Sequence, residues 1–194
     1  MGRLVHSLRI QSLILICLVI SLPGCVSISP PARQAMVPLY TAQAALEQAL
    51  SVEGAPYLLG GRGPDQFDCS GLITWAYKMA LDRDEIFMVG SQRTTDAAMQ
   101  DLWQFNVVLL PPEAAAPGDI VFITNTEERI THGGLFVRWL DDDKTILEFI
   151  NASSYVEYQA VVIDHWPVKG TKRGQWFAGI GRLKAIPERC GFRQ

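Results

Sequence analysis

The stretch Phe67-Asp68-Cys69-Ser70-Gly71-Leu72 joins a glycine-rich turn to an apolar segment of helical length. Apolar residues cover most of the circumference of the helix predicted over 70–80, and a helix of that kind is buried. Asp68 stands immediately before this helix, where an aspartate commonly caps the first turn. The sequence therefore predicts a buried helix that carries the thiol of Cys69 at its N-terminus.

The position of Cys69 makes it a candidate nucleophile. The N-terminus of a helix is the positive end of the backbone dipole, which favours a negatively charged group. We therefore expect a lowered pKa and a reactive thiolate at Cys69, provided that a histidine comes within reach. Outside the N-terminal segment the chain has only His132 and His165 to supply that histidine.

The predicted hairpin after position 130 favours His132 as the partner. A turn centred on Asp141 and Asp142 places His132 directly opposite Asn151, and a turn centred one residue later leaves the two side chains on the same face. A three-residue loop would put them on opposite faces. On one face, Asn151 can fix the tautomer and orientation of the imidazole. His165 is interpreted as a surface or packing residue.

Helical patterns precede strand patterns along the chain. Three helices are predicted, from residue 39 to a stop at Gly54 and Pro56, over 70–80, and over 94–102. Strands are predicted over 120–123, 133–140, 145–150, 156–163 and 177–183. Helices followed by strands with short connections are typical of an α+β fold with an antiparallel sheet, here of about five strands.

Four sequence blocks, in this order, resemble the NlpC family of papain-like cell-wall peptidases. They are Pro56-Tyr57-Leu58-Leu59-Gly60-Gly61, Phe67-Asp68-Cys69-Ser70-Gly71-Leu72, Pro117-Gly118-Asp119-Ile120-Val121-Phe122 and His132-Gly133-Gly134-Leu135-Phe136. The resemblance extends from about residue 39 to residue 184. It implies a papain-like (NlpC-type) domain over 39–186, in which the nucleophile helix packs on the sheet that supplies the histidine.

The resemblance also implies an activity and roles for individual residues. By position, Cys69 is the nucleophile, His132 the base and Asn151 the third polar residue, where many members have histidine. The residues expected to orient the site or bind substrate are Tyr57, Asp68 and Ser70. The implied reaction is cleavage of peptidoglycan stem peptides, usually between D-γ-glutamate and a diamino acid, without a metal or another cofactor.

Other interpretations stay open at this point. A non-catalytic cell-wall-binding lipoprotein would keep the same fold, and an acyltransferase of the papain-like superfamily would pass the acyl group to something other than water. Cys69 alone is also compatible with an inert buried thiol or with a disulfide to Cys190. An activated Cys69 would react quickly with a thiol-directed probe near neutral pH, which separates the catalytic interpretation from the inert one.

Residues 1–24 are predicted to be a lipoprotein signal peptide. A basic start precedes an apolar run over 10–20, which is too short for a membrane-spanning helix of roughly twenty residues. Leu22-Pro23-Gly24-Cys25 resembles a bacterial lipobox, so Cys25 is expected to be lipidated; the alternative is an ordinary cleaved signal with Cys25 incidental. Residues 25–38 are predicted to be a tether and 187–194 a C-terminal tail. In lipoproteins of this kind an Asp after the cysteine is the signal for retention in the inner membrane. Because Val26 stands there, the resemblance implies the periplasmic face of the outer membrane.

Composition excludes several classes of partner. The formal net charge is −3 and no basic stripe is interleaved with aromatic residues, which argues against nucleic acid. No Cys-x-x-Cys spacing occurs, which argues against a structural zinc site. The expected partners are therefore peptidoglycan stem peptides and, through Cys25, a membrane, while a protein activator is an open alternative.

Overall fold

A six-stranded antiparallel sheet with helices packed on one face organises the chain. The computed structural model describes residues 35–155 and 157–186. The predicted signal peptide, Cys25, Cys190 and the predicted tail lie outside the described residues. The helices are α1 (Leu39–Ser51), α2 (Cys69–Leu81) and the short α3 (Met99–Asp101), which continues into a π-helical turn, Leu102–Asn106.

The strands in the described part of the chain form two separate sheets. They are β1 (Phe87–Val89), β2 (Gln92–Thr94), β3 (Val107–Leu110), β4 (Ile120–Thr124), β5 (Ile130–Trp139), β6 (Ile146–Ser153), β7 (Ala160–Pro167) and β8 (Trp176–Leu183). β1 and β2 form a two-stranded ribbon, and the large sheet has the order β3-β8-β4-β5-β6-β7. The predicted α+β class is confirmed, but the large sheet has six strands and not five.

The additional strand is β3, which pairs antiparallel with β8 along the edge of the sheet. Only four residues long, it follows directly on the π-helical turn and carries no alternating pattern. The third predicted helix, over 94–102, is also wrong in its bounds. Thr94 pairs with Phe87 in the ribbon, so that helical structure begins only at Met99.

The strand predicted over 156–163 begins later than expected. A turn in which the N–H groups of Tyr158 and Gln159 bond to the Tyr155 carbonyl precedes β7. Gln159 has a positive φ of 43°, which ends the turn, and the strand then runs from Ala160 to Pro167. His165, expected at a strand end, lies within β7 with an exposed side chain beside Glu148.

Two hydrophobic clusters cover the two faces of the large sheet. The larger cluster joins α1 and α2 to inward-facing residues of the strands. Its fully buried members include Phe67 before α2, Leu72 in α2 and Leu135 in β5. The smaller cluster holds Phe149 and Trp166, and Val168 packs against it from the connection between β7 and β8. That connection, residues 168–175, therefore covers part of the face opposite the helices.

The start of α2 is fixed by a cap and by a close backbone approach. Oδ1 of Asp68 accepts the N–H of Gly71 at 2.7 Å, as the predicted N-cap requires. A Cβ atom at Gly71 would overlap the carbonyl oxygen of Gly61 in the preceding turn. Glycine at this position therefore allows the turn to lie directly against the helix N-terminus.

The last residues of the predicted tether lie against the domain. Met36 forms a bridge with Lys184, and the N–H of Val37 bonds to the Leu183 carbonyl at 2.9 Å. Val37 is buried in the larger cluster. Within the described part of the chain, none of the helices has the length and hydrophobicity needed to cross a membrane.

Candidate active site

A pocket opens at the N-terminus of α2 and brings Cys69 and His132 together. Tyr57 lines the same pocket, as do residues that follow β6 and that precede β8. The full lining is Tyr57, Cys69, Thr131, His132, Ser153, Ser154, Tyr155, Trp166, Arg173 and Gln175. Three of the residues singled out from the sequence thus meet in one concave site.

His132 is held by Asn151, which lies on the adjacent strand. Nε2 of His132 is 3.0 Å from Oδ1 of Asn151, and Nδ2 of Asn151 donates to the Val162 carbonyl at 3.2 Å. Because the amide nitrogen is used by that carbonyl, the amide oxygen is the atom that faces the ring. Nε2 then carries the proton and donates it, which leaves Nδ1 as the basic nitrogen of the imidazole.

A β-bulge in β5 places these two side chains on the same face of the sheet. Near the turn, Trp139 pairs with Leu147, a register that would put His132 and Asn151 on opposite faces. The register shifts by one residue between Phe136 and Arg138, and Leu135 then pairs with Ile150. The single extra residue, Val137, restores the alternation. The pairing next to the site is therefore the one expected for a turn centred one residue later, with His132 and Asn151 on the same face.

Cys69 lies at the first position of α2 and is a half-buried free thiol. Its Sγ atom is 3.8 Å from the carbonyl oxygen of Thr131, the residue before His132. Burial and then the negative charge of Asp68 raise the pKa of Cys69 to about 12. The backbone N–H groups of Ser70 and Cys69 offset only part of that rise. The lowered pKa expected from the helix dipole is therefore wrong, and the thiol is protonated at neutral pH.

His132 is correspondingly neutral. Burial lowers its pKa to about 4, and the hydrogen bond with Asn151 offsets part of the effect. A neutral imidazole can accept a proton, so a protonated thiol and a basic Nδ1 are compatible with general-base activation of Cys69. Cys69 and His132 thus line the same pocket as a neutral thiol and a neutral imidazole, and not as a preformed ion pair.

Asp68 and Ser70, expected to orient the site or bind substrate, do not line the pocket. Both are buried, and Ser70 donates to Oδ1 of Asp68 at 2.9 Å. Oδ2 of Asp68 accepts the N–H of Gly60 at 2.9 Å and Nη1 of Arg62 at 2.6 Å. Burial acts to raise the pKa of Asp68, but Arg62, the N–H of Gly71 and the hydroxyl of Ser70 together lower it. The carboxylate joins the glycine-rich turn to the helix that presents Cys69.

Arg62 extends this network away from the pocket. Its Nε atom is 2.6 Å from Oδ2 of Asp96, while Nη1 bonds to Asp68. Thr74 in α2 also donates to Asp96, at 3.3 Å. One arginine therefore ties the turn, the helix and the segment before α3 together, which keeps the N-terminus of α2 in place.

Tyr57 lines the pocket from the glycine-rich turn, near the nucleophile as the family resemblance implies. Burial and then the charges of Cys69 and Asp68 raise its pKa, and a side-chain hydrogen bond with Ser154 opposes the rise. The phenol is therefore a neutral hydroxyl at the mouth of the pocket.

Several pocket residues were not anticipated from the sequence. Thr131 is adjacent to His132, and Ser153 and Ser154 follow Asn151 by two and three residues. Because they flank the predicted site residues in the hairpin, they could have been identified from the sequence. Arg173 and Gln175 had no such signal, because they reach the pocket only through the path of the β7–β8 connection. No group of three or more histidine, cysteine or acidic residues that could hold a metal occurs among the described residues.

Comparison with known proteins places these features in one family. The sequence model of the NlpC/P60 family matches residues 54–172. The chain is 33% identical over 95 residues to the bifunctional muramidase/DL-endopeptidase CwlT of Bacillus subtilis, which covers 47% of this chain and 25% of that protein. It is 30% identical over 93 residues to a gamma-DL-glutamyl hydrolase of Bacillus subtilis, covering 47% of this chain and 20% of that protein. The chain thus spans a quarter or less of the length of these relatives.

The fold has counterparts among solved structures. A protein of the NLP/P60 family from Staphylococcus aureus, described as similar to lipoprotein, superposes with a TM-score of 0.52 at 23% identity. The match covers 81% of this chain and 46% of that one. At this identity the likeness establishes the fold alone.

Proposed function

The chain belongs to the NlpC/P60 family, and from this membership we propose that it is a cysteine peptidase that cleaves peptide bonds of peptidoglycan. One observation carries the proposal. The thiol of Cys69, at a helix N-terminus, shares a pocket with His132, whose Nε2 is bonded to Asn151 at 3.0 Å. Nucleophile, base and orienting group are the three parts that acyl transfer needs.

In the proposed reaction the neutral imidazole activates the thiol. Nδ1 of His132 takes the proton as Sγ of Cys69 attacks the amide carbonyl carbon. The backbone N–H of Cys69 at the helix N-terminus would hold the resulting oxyanion. His132 then passes the proton to the leaving amine, the carbon–nitrogen bond breaks, and a thioester remains on Cys69.

Water completes the cycle. His132 removes a proton from water as the oxygen attacks the thioester carbonyl, and the carbon–sulfur bond then breaks. The acid product leaves and the thiol of Cys69 is protonated again. Asn151 holds the ring through Nε2 during both steps, so that Nδ1 is left to accept and return the proton.

The bond that we propose is the one between D-γ-glutamate and the diamino acid of the stem peptide. The names of the two Bacillus subtilis relatives, a DL-endopeptidase and a gamma-DL-glutamyl hydrolase, support this choice. The pocket also suits an amide substrate of mixed polarity, since it combines hydroxyl groups, aromatic rings and a guanidinium group.

Digestion of purified peptidoglycan tests the reaction and the bond. We expect mass spectrometry to find products with a new amino group on the diamino acid and a new free γ-carboxyl on D-glutamate. Products cut in the sugar chain or at another peptide bond would contradict the proposed bond. Binding to the wall without any cleavage would instead indicate a non-catalytic wall-binding protein.

We further propose that the chain is anchored by lipid on Cys25 at the periplasmic face of the outer membrane. The apolar run over 10–20 and the lipobox-like Leu22-Pro23-Gly24-Cys25 support this. A lipid anchor with two or three acyl chains holds stably, whereas one chain holds only marginally. Replacing Cys25 with serine is expected to release the protein from the membrane fraction, and unchanged fractionation would contradict the proposal.

A further inference from the structure

Arg173 is the one residue with a permanent charge among the described residues that line the pocket. It lies in the connection between β7 and β8, within the turn Lys172-Arg173-Gly174-Gln175. The N–H groups of Lys172 and Gln175 each bond to the other residue's carbonyl at 3.0 Å. Nε2 of Gln175 also donates to the hydroxyl of Thr131 at 3.2 Å, which attaches the turn to the strand that carries His132.

The guanidinium group is held from two sides. Nη1 of Arg173 donates to Oδ2 of Asp164 at 2.9 Å, and the guanidinium carbon lies 3.9 Å from the centre of the Tyr155 ring. Among residues 35–155 and 157–186, Nε and Nη2 of Arg173 have no hydrogen-bond partner. An arginine fixed in this way presents a preformed fork of N–H donors.

The charge at this place is not neutralised. Asp164 is also bonded to Lys172 at 2.7 Å, so that two cations share one carboxylate and a net positive charge remains. Burial acts to raise the pKa of Asp164, but Lys172 and its other partners outweigh it and the pKa is lowered. No acidic side chain is among the described residues that line the pocket. The site therefore favours an anionic group on its ligand.

The backbone at Arg173 is also unusual for this residue type. Arg173 has a φ of 55° and Gly174 a φ of 71°, as in the two-residue turns that favour asparagine or glycine at their first central position. A bulky residue in the left-handed region is strained, and such residues concentrate at functional sites. The turn therefore carries a side chain that its backbone does not favour, directed at the pocket.

We propose that Arg173 binds a carboxylate of the substrate next to the scissile amide, and that it selects γ-glutamyl peptides whose α-carboxylate is free. The inference rests on the proposed function, because a γ-linked glutamate is what leaves an α-carboxylate beside the bond that is cut. Arginine pairs with carboxylates through two parallel N–H···O bonds, and an amide in the same place cannot match that charge and geometry.

Two synthetic peptides test the assignment. Both have the sequence L-alanyl-γ-D-glutamyl-diamino acid, one with the α-carboxylate of D-glutamate free and the other with an α-carboxamide. We expect the wild-type protein to prefer the carboxylate peptide. Arg173→Gln is expected to lower kcat/KM for that peptide by roughly 10- to 100-fold, mainly through KM, and to change the carboxamide peptide by less than about threefold. Arg173→Lys is expected to restore part of the preference.

Lys169→Gln is the matched control, because Lys169 is exposed in the same connection and does not line the pocket. It removes the same charge and is expected to leave the preference unchanged. An equal effect of Arg173→Gln on both peptides, or a loss of preference in Lys169→Gln, would overturn this inference but leave the proposed function intact. If the wild-type protein cleaves neither peptide, the proposed function fails and the inference with it.

Discussion

Nε2 of His132 lies 3.0 Å from Oδ1 of Asn151, across two strands whose register shifts by one residue on the way from the turn to the site. The contact fixes the tautomer of the imidazole, and the bulge at Val137 makes the contact possible. Asn151 is buried and its amide nitrogen is bonded to Val162, so the group that orients the ring is itself held in place.

Replacing Asn151 with alanine should lower activity without removing the nucleophile or the base. The ring would lose the acceptor that holds Nε2, and we expect kcat to fall by roughly 10- to 1000-fold. This is less than the roughly 100- to 10,000-fold that general acid–base catalysis contributes in full, because the base itself remains. KM should change little, because Asn151 does not line the pocket. Steady-state kinetics on a stem peptide measure both constants. Asn151→His should retain more activity than Asn151→Ala, and equal losses would speak against an orienting role.

The acidity of Cys69 should respond to Asp68. Burial and then the Asp68 charge raise the pKa of Cys69 to about 12, so alkylation by iodoacetamide at pH 8 should be slower than that of a free cysteine. The fast labelling expected from a lowered pKa therefore does not separate a catalytic Cys69 from an inert one. Asp68→Asn should lower that pKa and speed alkylation by roughly three- to tenfold, since a tenfold rise in thiolate corresponds to one pKa unit.

Asp65→Asn is the control for this experiment, because Asp65 is exposed in the same turn and its substitution removes the same charge. It should leave the alkylation rate unchanged. Asp68→Asn also loses the ion pair with Arg62, and we expect it to destabilise the fold by about 1–3 kcal/mol, so the rate is measured where the variant is folded. Equal rates in the two variants would rule out an electrostatic effect of Asp68.

The stability of the protein should fall in mild acid because of His132. Its pKa drops from 6.5 to about 4 in the folded state, so between these values the unfolded chain binds a proton that the folded chain does not. The stabilisation is complete above pH 6.5 and is lost as the pH falls toward 4. Denaturant unfolding at several pH values measures it. His132→Gln should flatten the dependence between pH 6.5 and 5, and an unchanged slope would contradict a buried neutral imidazole.

Adding a methyl group at Gly71 should separate the glycine-rich turn from α2. The new Cβ atom would overlap the Gly61 carbonyl oxygen, and neither backbone segment can yield without moving the start of the helix. We expect Gly71→Ala to cost at least about 1–3 kcal/mol of unfolding free energy, as overpacking does, and to reduce cleavage further. Met79→Ala, an exposed change in the same helix, should do neither. Thermal unfolding and an activity assay measure the two effects. A Gly71→Ala protein that matched the wild type in both would contradict the prediction.

The sequence was most predictive where local rules apply. The N-cap at Asp68, the buried helix behind Cys69 and the later strands follow from periodicity and capping, which depend on neighbouring residues. The β3 strand was missed because four residues at a sheet edge carry no period of their own. The pair of His132 and Asn151 was expected from a regular hairpin. In the structure, the register at the turn would put the two side chains on opposite faces, and a bulge further along the strand brings them to the same face.

The properties that depend on three-dimensional surroundings could not be predicted. The helix dipole alone suggested a lowered pKa for Cys69, but burial beside Asp68 has the larger effect. Arg173 lies over 100 positions from Cys69, and only the path of the β7–β8 connection brings it to the pocket. Such effects come from segments that are distant in sequence and therefore leave no local pattern.

The central claim, that Cys69 is the nucleophile of a peptidase, is tested most directly by comparing Cys69→Ala with the wild-type protein on one defined stem peptide. Mass spectrometry follows the cleavage, and thermal unfolding establishes that both proteins are folded. We predict that the wild-type protein cleaves the peptide and that the folded variant does so at less than roughly one-thousandth of that rate. Cleavage by the folded variant at a rate comparable to the wild-type protein would contradict the claim.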